Sequence, residues 1–473
     1  MALKFFNTLS RSVQEFVPQD PAGKRVRMYC CGPTVYDVAH IGNFRTFVFA
    51  DLVRRFLEFK GYAVEHVMNI TDVEDKIIKG VRHTKMPLRD YTGKYEALFF
   101  EDFQALGCLR PHHTPRATEF IAEIIALIEK LIARGIAYKA PDGSVYFSID
   151  KYQHAGCCYG QLLKLNFEEM RRGERVSSDE YEKESVADFA LWKSRVPDDG
   201  DVFWPSPWGE GRPGWHIECS AMSMKLLGPS FDIHMGGEDL IFPHHEDEIA
   251  QSEGAGLQKP GEHFVNYWLH GAHLLVEGKK MSKSLGNFYT ARDLFAKNFN
   301  GREIRYLLLT AHYRESFNFT LEGLQGARTA LARIDECLTK LREIAGSTTA
   351  SPDATLLEKF SEALDEDLNI SQAWGEVFKW VNETNRALAA NQMTADKAAA
   401  GLAAWEKINS VIGVGSTSQD AAIPTEITGL LEQRQAARKA KDFKRSDQIR
   451  DELKVKGWVI EDTPKGPRLK RIA

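Results

Sequence analysis

Val26-Arg27-Met28-Tyr29-Cys30-Cys31-Gly32-Pro33-Thr34-Val35-Tyr36-Asp37-Val38-Ala39-His40-Ile41-Gly42-Asn43 is the stretch on which the fold turns. Val26 to Cys30 is apolar and strand-like, and Phe44 to Phe59 carries helical spacing. Val64 to Ile70 is a second apolar strand, ending in Thr71-Asp72. Strand, helix and strand at this length make a βαβ unit, and such units build parallel sheets. Ligands of these sheets sit beyond the carboxyl ends of the strands, where both His40 and Asn69-Ile70-Thr71-Asp72 fall. Gly42 in the strand-to-helix turn lets backbone approach a ligand, and the helix N-terminus favours phosphate. His40 offers a donor for a phosphoryl oxygen.

Far downstream, Lys280-Met281-Ser282-Lys283-Ser284 follows a strand, Ala272 to Val276, and a turn, Glu277-Gly278-Lys279. Lysines so placed neutralise a triphosphate and the charge that builds as pyrophosphate leaves. Each segment alone is an ordinary loop. In this order they closely resemble the "HIGH" and "KMSKS" signatures of class I aminoacyl-tRNA synthetases, with Asn43 standing where the signature has its second His. The resemblance implies ATP binding by His40, Gly42, Asn43, Lys280, Ser282 and Lys283, with His40, Lys280 and Lys283 catalytic.

At 473 residues the chain exceeds one core, and its composition, 43% hydrophobic and 27% charged, is that of a globular protein. No apolar run reaches membrane-span length, and the start lacks the apolar core of a signal peptide, so no membrane partner and a cytoplasmic location are expected. The net charge of −5 excludes a surface generally coated with nucleic acid, although Lys and Arg are in excess near the end. The seven cysteines have no disulfide-framework spacing.

The fold class expected is α/β: a Rossmann-type parallel-sheet catalytic domain over 1–309, with an inserted connective segment at about 110–207 and the lysine loop at 280–284. A helical bundle of the anticodon-binding type over 310–413 and a small basic α+β unit over 424–473 follow. Within the insertion the pattern predicts a helix from Pro115 to about Arg134, capped by Thr114 and stopped by Gly135, and a hairpin over Ala137 to Ile149 turning at Asp142-Gly143. Cys157 to Pro207 reads as polar and irregular, and Trp204 to Cys219 as too rich in Pro and Gly for an ordinary helix. Strand resumes around Phe231 to His234. Helices are expected over Thr310 to Ile344 and Leu356 to Ile412, with Trp374, Trp380 and Trp405 as core. A basic helix, Glu426 to Lys456, and a hairpin, Trp458 to Lys470, end the chain. Arg434, Arg438, Lys439, Lys441, Lys444 and Arg445 there suit phosphate contact.

His244-His245-Glu246-Asp247-Glu248 is a candidate metal segment. His244 and Glu248 are four apart on a helix and share a face, and His245 could instead join a residue outside the segment. A His/Glu cluster opening a helix also complements the helix dipole. Thiols at 31 and 219 strengthen the metal reading, because thiolate, imidazole and carboxylate together suit Zn²⁺.

Tyr29-Cys30-Cys31-Gly32-Pro33-Thr34-Val35-Tyr36-Asp37, the Trp204-Pro205-Ser206-Pro207-Trp208-Gly209 run into Trp215-His216-Ile217-Glu218-Cys219, and Phe242-Pro243-His244-His245-Glu246 resemble the cysteinyl-tRNA synthetases over nearly the whole chain. The resemblance implies one Zn²⁺ per chain on Cys31, Cys219, His244 and Glu248. Cys30 is a rival to Cys31, but strand alternation sends neighbours to opposite faces and only the Gly-adjacent one matches. Cysteine is expected to lie against Gly32, Thr71, Trp215 and Asp239, the last holding its ammonium. His234, at a strand end, approaches substrate or is structural. The implied activity is that of a cysteine–tRNA ligase: L-cysteine and ATP with Mg²⁺ give cysteinyl-adenylate, and the cysteinyl group passes to tRNA(Cys), by a monomer. Zinc takes a thiolate far more readily than serine's hydroxyl, so no editing domain is needed. The alternatives are a cysteine ligase acting on an aminosugar, which lacks the extended carboxy-terminal part, and a non-catalytic RNA-binding paralogue.

Overall fold

The computed structural model describes residues 2–163, 188–281, 286–415, 425–456, 458–463 and 466–471. Its central sheet has four parallel strands, β1 (Arg25–Cys30), β2 (Ala63–Met68), β3 (Phe231–Gly237) and β4 (Val265–Gly271), in the order β4-β3-β1-β2. Helix α1 (Ile41–Phe59) links β1 to β2; α2 (Trp215–Leu227) precedes β3, and α3 (Glu246–Gly254) links β3 to β4. From β1 the chain moves outward one way, and from β3 the other. The crevice between their carboxyl ends is the switch point where ligands of such sheets bind.

Both faces of this sheet are covered, as parallel sheets require. Met28 and Cys30 of β1 pack with Phe44, Val48 and Leu52 of α1, whereas Tyr29 and Cys31 join Cys219, Phe231, Ile249 and Trp268 on the opposite face. The pleat therefore separates Cys30 from Cys31 as alternation predicts. α1 begins at Ile41, three residues before the expected Phe44, because His40 caps it.

The insertion is more regular than its composition suggests. The hairpin is present as Ala137–Lys139 with Val145–Phe147, and a buried strand, Phe189–Ser194, joins it, followed by Gly211–Pro213, in a four-stranded antiparallel sheet. Thus one part of the stretch expected to be irregular is a strand whose Phe189, Leu191 and Trp192 supply core; its 164–187 part lies outside the described residues. The helix expected from Pro115 runs only over Ile121–Ala133. Ile70 N–H donates to Pro115 O at 2.8 Å and Ala117 N–H to Ile70 O at 3.2 Å, so Pro115 and Arg116 bridge to Ile70, and a short 3-10 turn, Ala117–Glu119, comes before the helix. Gly135, at φ 73°, ends that helix as read. The Pro- and Gly-rich run gives way to helix at Trp215, earlier than its composition suggests.

The first residues after 309 also differ from the helical reading. Phe317–Phe319 is a strand, parallel to Leu274–Val276, and the first long helix starts at Leu321, where Thr320 Oγ1 accepts from Gly323 N–H. Four helices follow, Leu321–Ala345, Ala354–Asp365, Ile370–Ala389 and Ala395–Ile412. Asp367 and Leu368, both at φ 55°, and Asn391, at φ 54°, break what the periodicity joined. Trp374 and Trp405 are buried, and one apolar cluster runs from α1 through these helices. The terminal unit has two helices, Thr425–Lys439 and Phe443–Val455, separated at Lys441 (φ 59°), then the expected hairpin, Trp458–Thr463 with Gly466–Arg471. Arg434 is buried; Arg438, Lys439, Lys441, Lys444 and Arg445 are exposed.

A buried charge cluster ties α1 to the last bundle helix. Asp51 accepts from Arg55 at 2.7 Å and from Arg305 at 2.5 Å. The same arginines donate to Ser410 O at 3.0 Å and Ile412 O at 2.6 Å, satisfying that helix's terminal carbonyls. No described helix is long and apolar enough to cross a membrane.

Candidate active site and metal centre

The phosphate end is built on the first turn of α1. His40 is its N-cap: the imidazole Nδ1 accepts from Asn43 N–H at 3.2 Å, and Asn43 Oδ1 accepts from His40 N–H at 3.1 Å. Ile41 N–H donates to Tyr289 O at 3.0 Å, and a Cβ on Gly42 would lie 3.0 Å from Met281 Cε. The two signatures therefore meet at the sheet's switch point. Lys280 is exposed on the short strand Lys279–Lys280, which pairs with Leu275 and Val276. Ser282 and Lys283 lie outside the described residues.

Next to this turn, Gly32 N–H donates to Asn69 Oδ1 at 2.8 Å, and Asn69 Nδ2 donates to Thr71 Oγ1 at 3.1 Å. A Cβ at Gly32 would sit 1.7 Å from Asn69 O, so only glycine fits. Thr71 is buried and backbone-paired to Pro33 and Val35. Asp239 is exposed in the turn Glu238–Leu240 just past β3. The Trp215 ring, 40% exposed, lies 4.5 Å from the His244 ring between centroids.

Ligand atoms of Cys31, Cys219, His244 and Glu248 all lie within 4.8 Å of one another, and all four residues are buried. Cys31 Sγ is 3.9 Å from Cys219 Sγ and 3.5 Å from Glu248 Oε1, and His244 Nε2 is 3.0 Å from that same oxygen. Tetrahedral zinc, with bonds of about 2.3 Å to sulfur and about 2.1 Å to oxygen, separates two sulfurs by about 3.8 Å and sulfur from oxygen by about 3.6 Å. The donors fit that ion in chemistry and spacing. Two of the four are anionic without a metal. Burial opposes charge on Glu248, yet His234 and His244 hold its pKa down to about 2. Burial likewise disfavours imidazolium at His244, but Glu248 and Cys219 raise it to about 10. The hydrogen bond from Cys31, against the effect of burial, brings Cys219 down to about 6. Burial and the neighbouring Cys219 push the Cys31 thiol well up, so Glu248 and Cys219 are the anionic donors, the His244 imidazolium balances them, and a metal bound here would displace the protons of Cys31 and His244.

A second group, Cys31, His234, His245 and Glu248, shares two of these donors. In it His234 stacks at 4.4 Å on Trp268, whereas in the first group His244 packs against the partly exposed Trp215 ring.

Comparison with known proteins matches residues 18–329 to tRNA synthetases class I (C) catalytic domain, 359–415 to the DALR domain, and 420–467 to the cysteinyl-tRNA ligase anticodon binding domain. The cysteine–tRNA ligase of Chlamydia muridarum is 47% identical over 488 residues, covering 100% of both chains. That of Chlamydia pneumoniae is 45% identical over 477 residues, covering 99% of this chain and 98% of the relative. The chain belongs to the cysteinyl-tRNA ligase family. Its fold is that of class I aminoacyl-tRNA synthetases more widely. A Mycobacterium tuberculosis methionyl-tRNA synthetase in complex with methionyl-adenylate superposes at TM-score 0.57 with 16% identity, covering 82% of this chain and 89% of that one. A leucyl enzyme of Agrobacterium radiobacter in a ternary complex gives 0.58 with 12% identity, covering 84% and 85%.

Several residues at the centre of this cysteinyl-tRNA ligase chain escape a motif reading. His234 is fully buried and its Nε2 lies 2.8 Å from Glu248 Oε2. His245 Nε2 is 3.4 Å from Cys31 Sγ, and its Nδ1 bonds His270 Nε2 at 2.7 Å. His216 Nδ1 is 2.7 Å from His244 Nδ1. The signal for His216 was present: it stands three residues before Cys219 on one helix, hence on the same face.

Proposed function

We infer that this chain activates L-cysteine with ATP and transfers it to tRNA, and that the residues described above divide that work between a phosphate end and a thiol end. The observation carrying the reading is that the four donors at Cys31, Cys219, His244 and Glu248 converge within 4.8 Å beyond the same sheet edge where His40 caps α1. ATP, with its Mg²⁺, enters at the first turn of α1. With Nδ1 of His40 accepting from Asn43 N–H, the neutral ring carries its proton on Nε2 and donates from there to a phosphoryl oxygen. Lys280 and Lys283 stabilise the charge that develops as pyrophosphate leaves.

Cys31, Cys219, His244 and Glu248 are the residues that would hold one Zn²⁺. When bound, that ion supplies a soft Lewis acid that takes the substrate thiolate and discriminates against serine. Gly32 and Thr71 line the amino acid, Trp215 closes its outer side against water, and Asp239 receives the ammonium. No protein nucleophile is needed: the carboxylate of cysteine attacks the α-phosphorus, and the chain supplies orientation and charge.

The matches over 359–415 and 420–467 favour tRNA over an aminosugar acceptor. The test is cysteine-dependent pyrophosphate exchange followed by charging. Exchange with cysteine but not serine, and transfer to tRNA(Cys), are expected. Absence of exchange would leave an RNA-binding paralogue, and transfer to an aminosugar alone would redirect the second step.

A further inference from the structure

His216 is the second residue of α2, and its Nδ1 lies 2.7 Å from Nδ1 of His244. Two ring nitrogens at that distance need one donor and one acceptor. His244 must present an unprotonated Nε2 to a metal, so its proton sits on Nδ1 and His216 Nδ1 accepts it. The proton of His216 then lies on Nε2, which faces Asp247 Oδ2 at 3.4 Å. Asp247 is itself fully buried and also accepts from the Tyr159 hydroxyl of the insertion. The His216–His244 bond thereby couples the two tautomers, and the Asp247 carboxylate stands beside His216 Nε2 at ion-pair distance. Packing holds the middle ring: Phe189 stands edge-on to His216 at 6.0 Å and 90°, and Trp215 lies 5.2 Å away.

We propose that His216, held by Asp247, is a positioning residue that fixes the tautomer and raises the donor strength of His244, and so sets how tightly zinc and the substrate thiolate are held. The proposal rests on the metal reading above. Outer partners of this kind orient a metal imidazole, and their loss typically costs 10–100-fold in affinity. His216 contributes no ligand atom to either four-donor group, so its effect runs through His244.

The experiment compares the full-length enzyme with His216→Phe, His216→Gln and Asp247→Asn. Zinc retention is measured against a chelator of known affinity, and Co²⁺ replaces zinc to record its visible absorption. His216→Phe should lose zinc about 10–100-fold more readily, shift the cobalt bands and raise KM for cysteine while leaving KM for ATP unchanged. His216→Gln, whose amide oxygen can accept from His244, should recover part of the affinity. If His216→Phe does not fold, Asp247→Asn, which keeps size and shape, carries the measurement and should weaken zinc several-fold. Zinc affinity and cobalt spectrum unchanged in the folded variants would overturn the proposal and leave His216 as packing between Phe189 and Trp215. Wild-type enzyme that binds no zinc would instead overturn the metal reading itself.

Discussion

His40 and Asn43 hold each other: the imidazole accepts from the Asn43 backbone N–H, and the Asn43 side-chain oxygen accepts from the His40 N–H. The residue that departs from the family signature is therefore one half of a capping box, the arrangement that satisfies two orphan donors at a helix start. It also turns the His40 ring so that Nδ1 faces the helix. Asn43→Ala should cost about 1 kcal/mol of stability, read by urea unfolding, and should slow adenylate formation. Asn43→Asp, which keeps the acceptor, should retain the stability but weaken ATP binding through its charge. Equal ATP affinity in both variants would confine Asn43 to capping.

Cys219→Ser should remove zinc and cysteine activation together, because it deletes one of two sulfur donors while keeping nearly the same volume. Elemental analysis and pyrophosphate exchange on one preparation decide it. Full zinc content in the variant would refute the ligand set.

Lys280→Ala and Lys283→Ala should lower kcat for adenylate formation tenfold or more, on the order of 1.4 kcal/mol each, with a smaller change in KM for cysteine. Single-turnover kinetics separates these. An unaltered adenylation rate would make the segment a surface turn.

Asp51→Asn should destabilise the enzyme at neutral pH by about 3–5 kcal/mol, since Arg305 is left buried beside a neutral amide. Burial raises the Asp51 pKa, but Arg305 and Arg55 outweigh it and hold the carboxyl below its ordinary value. A depressed acid stabilises the fold above its unfolded pKa, about 3.9, and that share is lost as pH falls through the folded value. The gap between wild type and variant should thus be full at pH 7 and close in strong acid. A gap constant with pH would show that Asp51 contributes packing, not charge.

Removing residues 424–473 should leave cysteine-dependent pyrophosphate exchange largely intact while raising KM for tRNA. Arg438, Lys439, Lys441, Lys444 and Arg445 are exposed, so the lost affinity should be salt-dependent, with a slope of roughly 0.7–0.9 per phosphate contact. Charging as efficient as that of the intact chain across salt would exclude productive tRNA contact by this unit.

The parallel sheet was legible because β1 carries Val26, Met28 and Cys30 on one face and Tyr29 on the other, and Gly32 and Gly42 interrupt the run into α1. The donor set was legible because Cys31, Cys219, His244 and Glu248 stand in motifs that match a family. What stayed hidden depends on partners distant in sequence. Pro115 and Ala117 pair with Ile70, which shortens a helix that the local pattern extends. Phe317 and Phe319 alternate over only three residues, too few to separate a strand from the helix after it. His216 and His234 reveal their roles only against His244 and Glu248. Each is a polar contact that a hydrophobic pattern does not encode.

The donors of the metal centre are 217 residues apart at their extremes, Cys31 against Glu248. A growing chain on the ribosome presents Cys31 early, but the fourth donor is not synthesised until more than half the polypeptide exists. The first βαβ unit alone therefore offers only one of the four donors. Assembly of the four donors waits for β3 to pair with β1, so a metal held by all four would be captured only after that part of the sheet has closed.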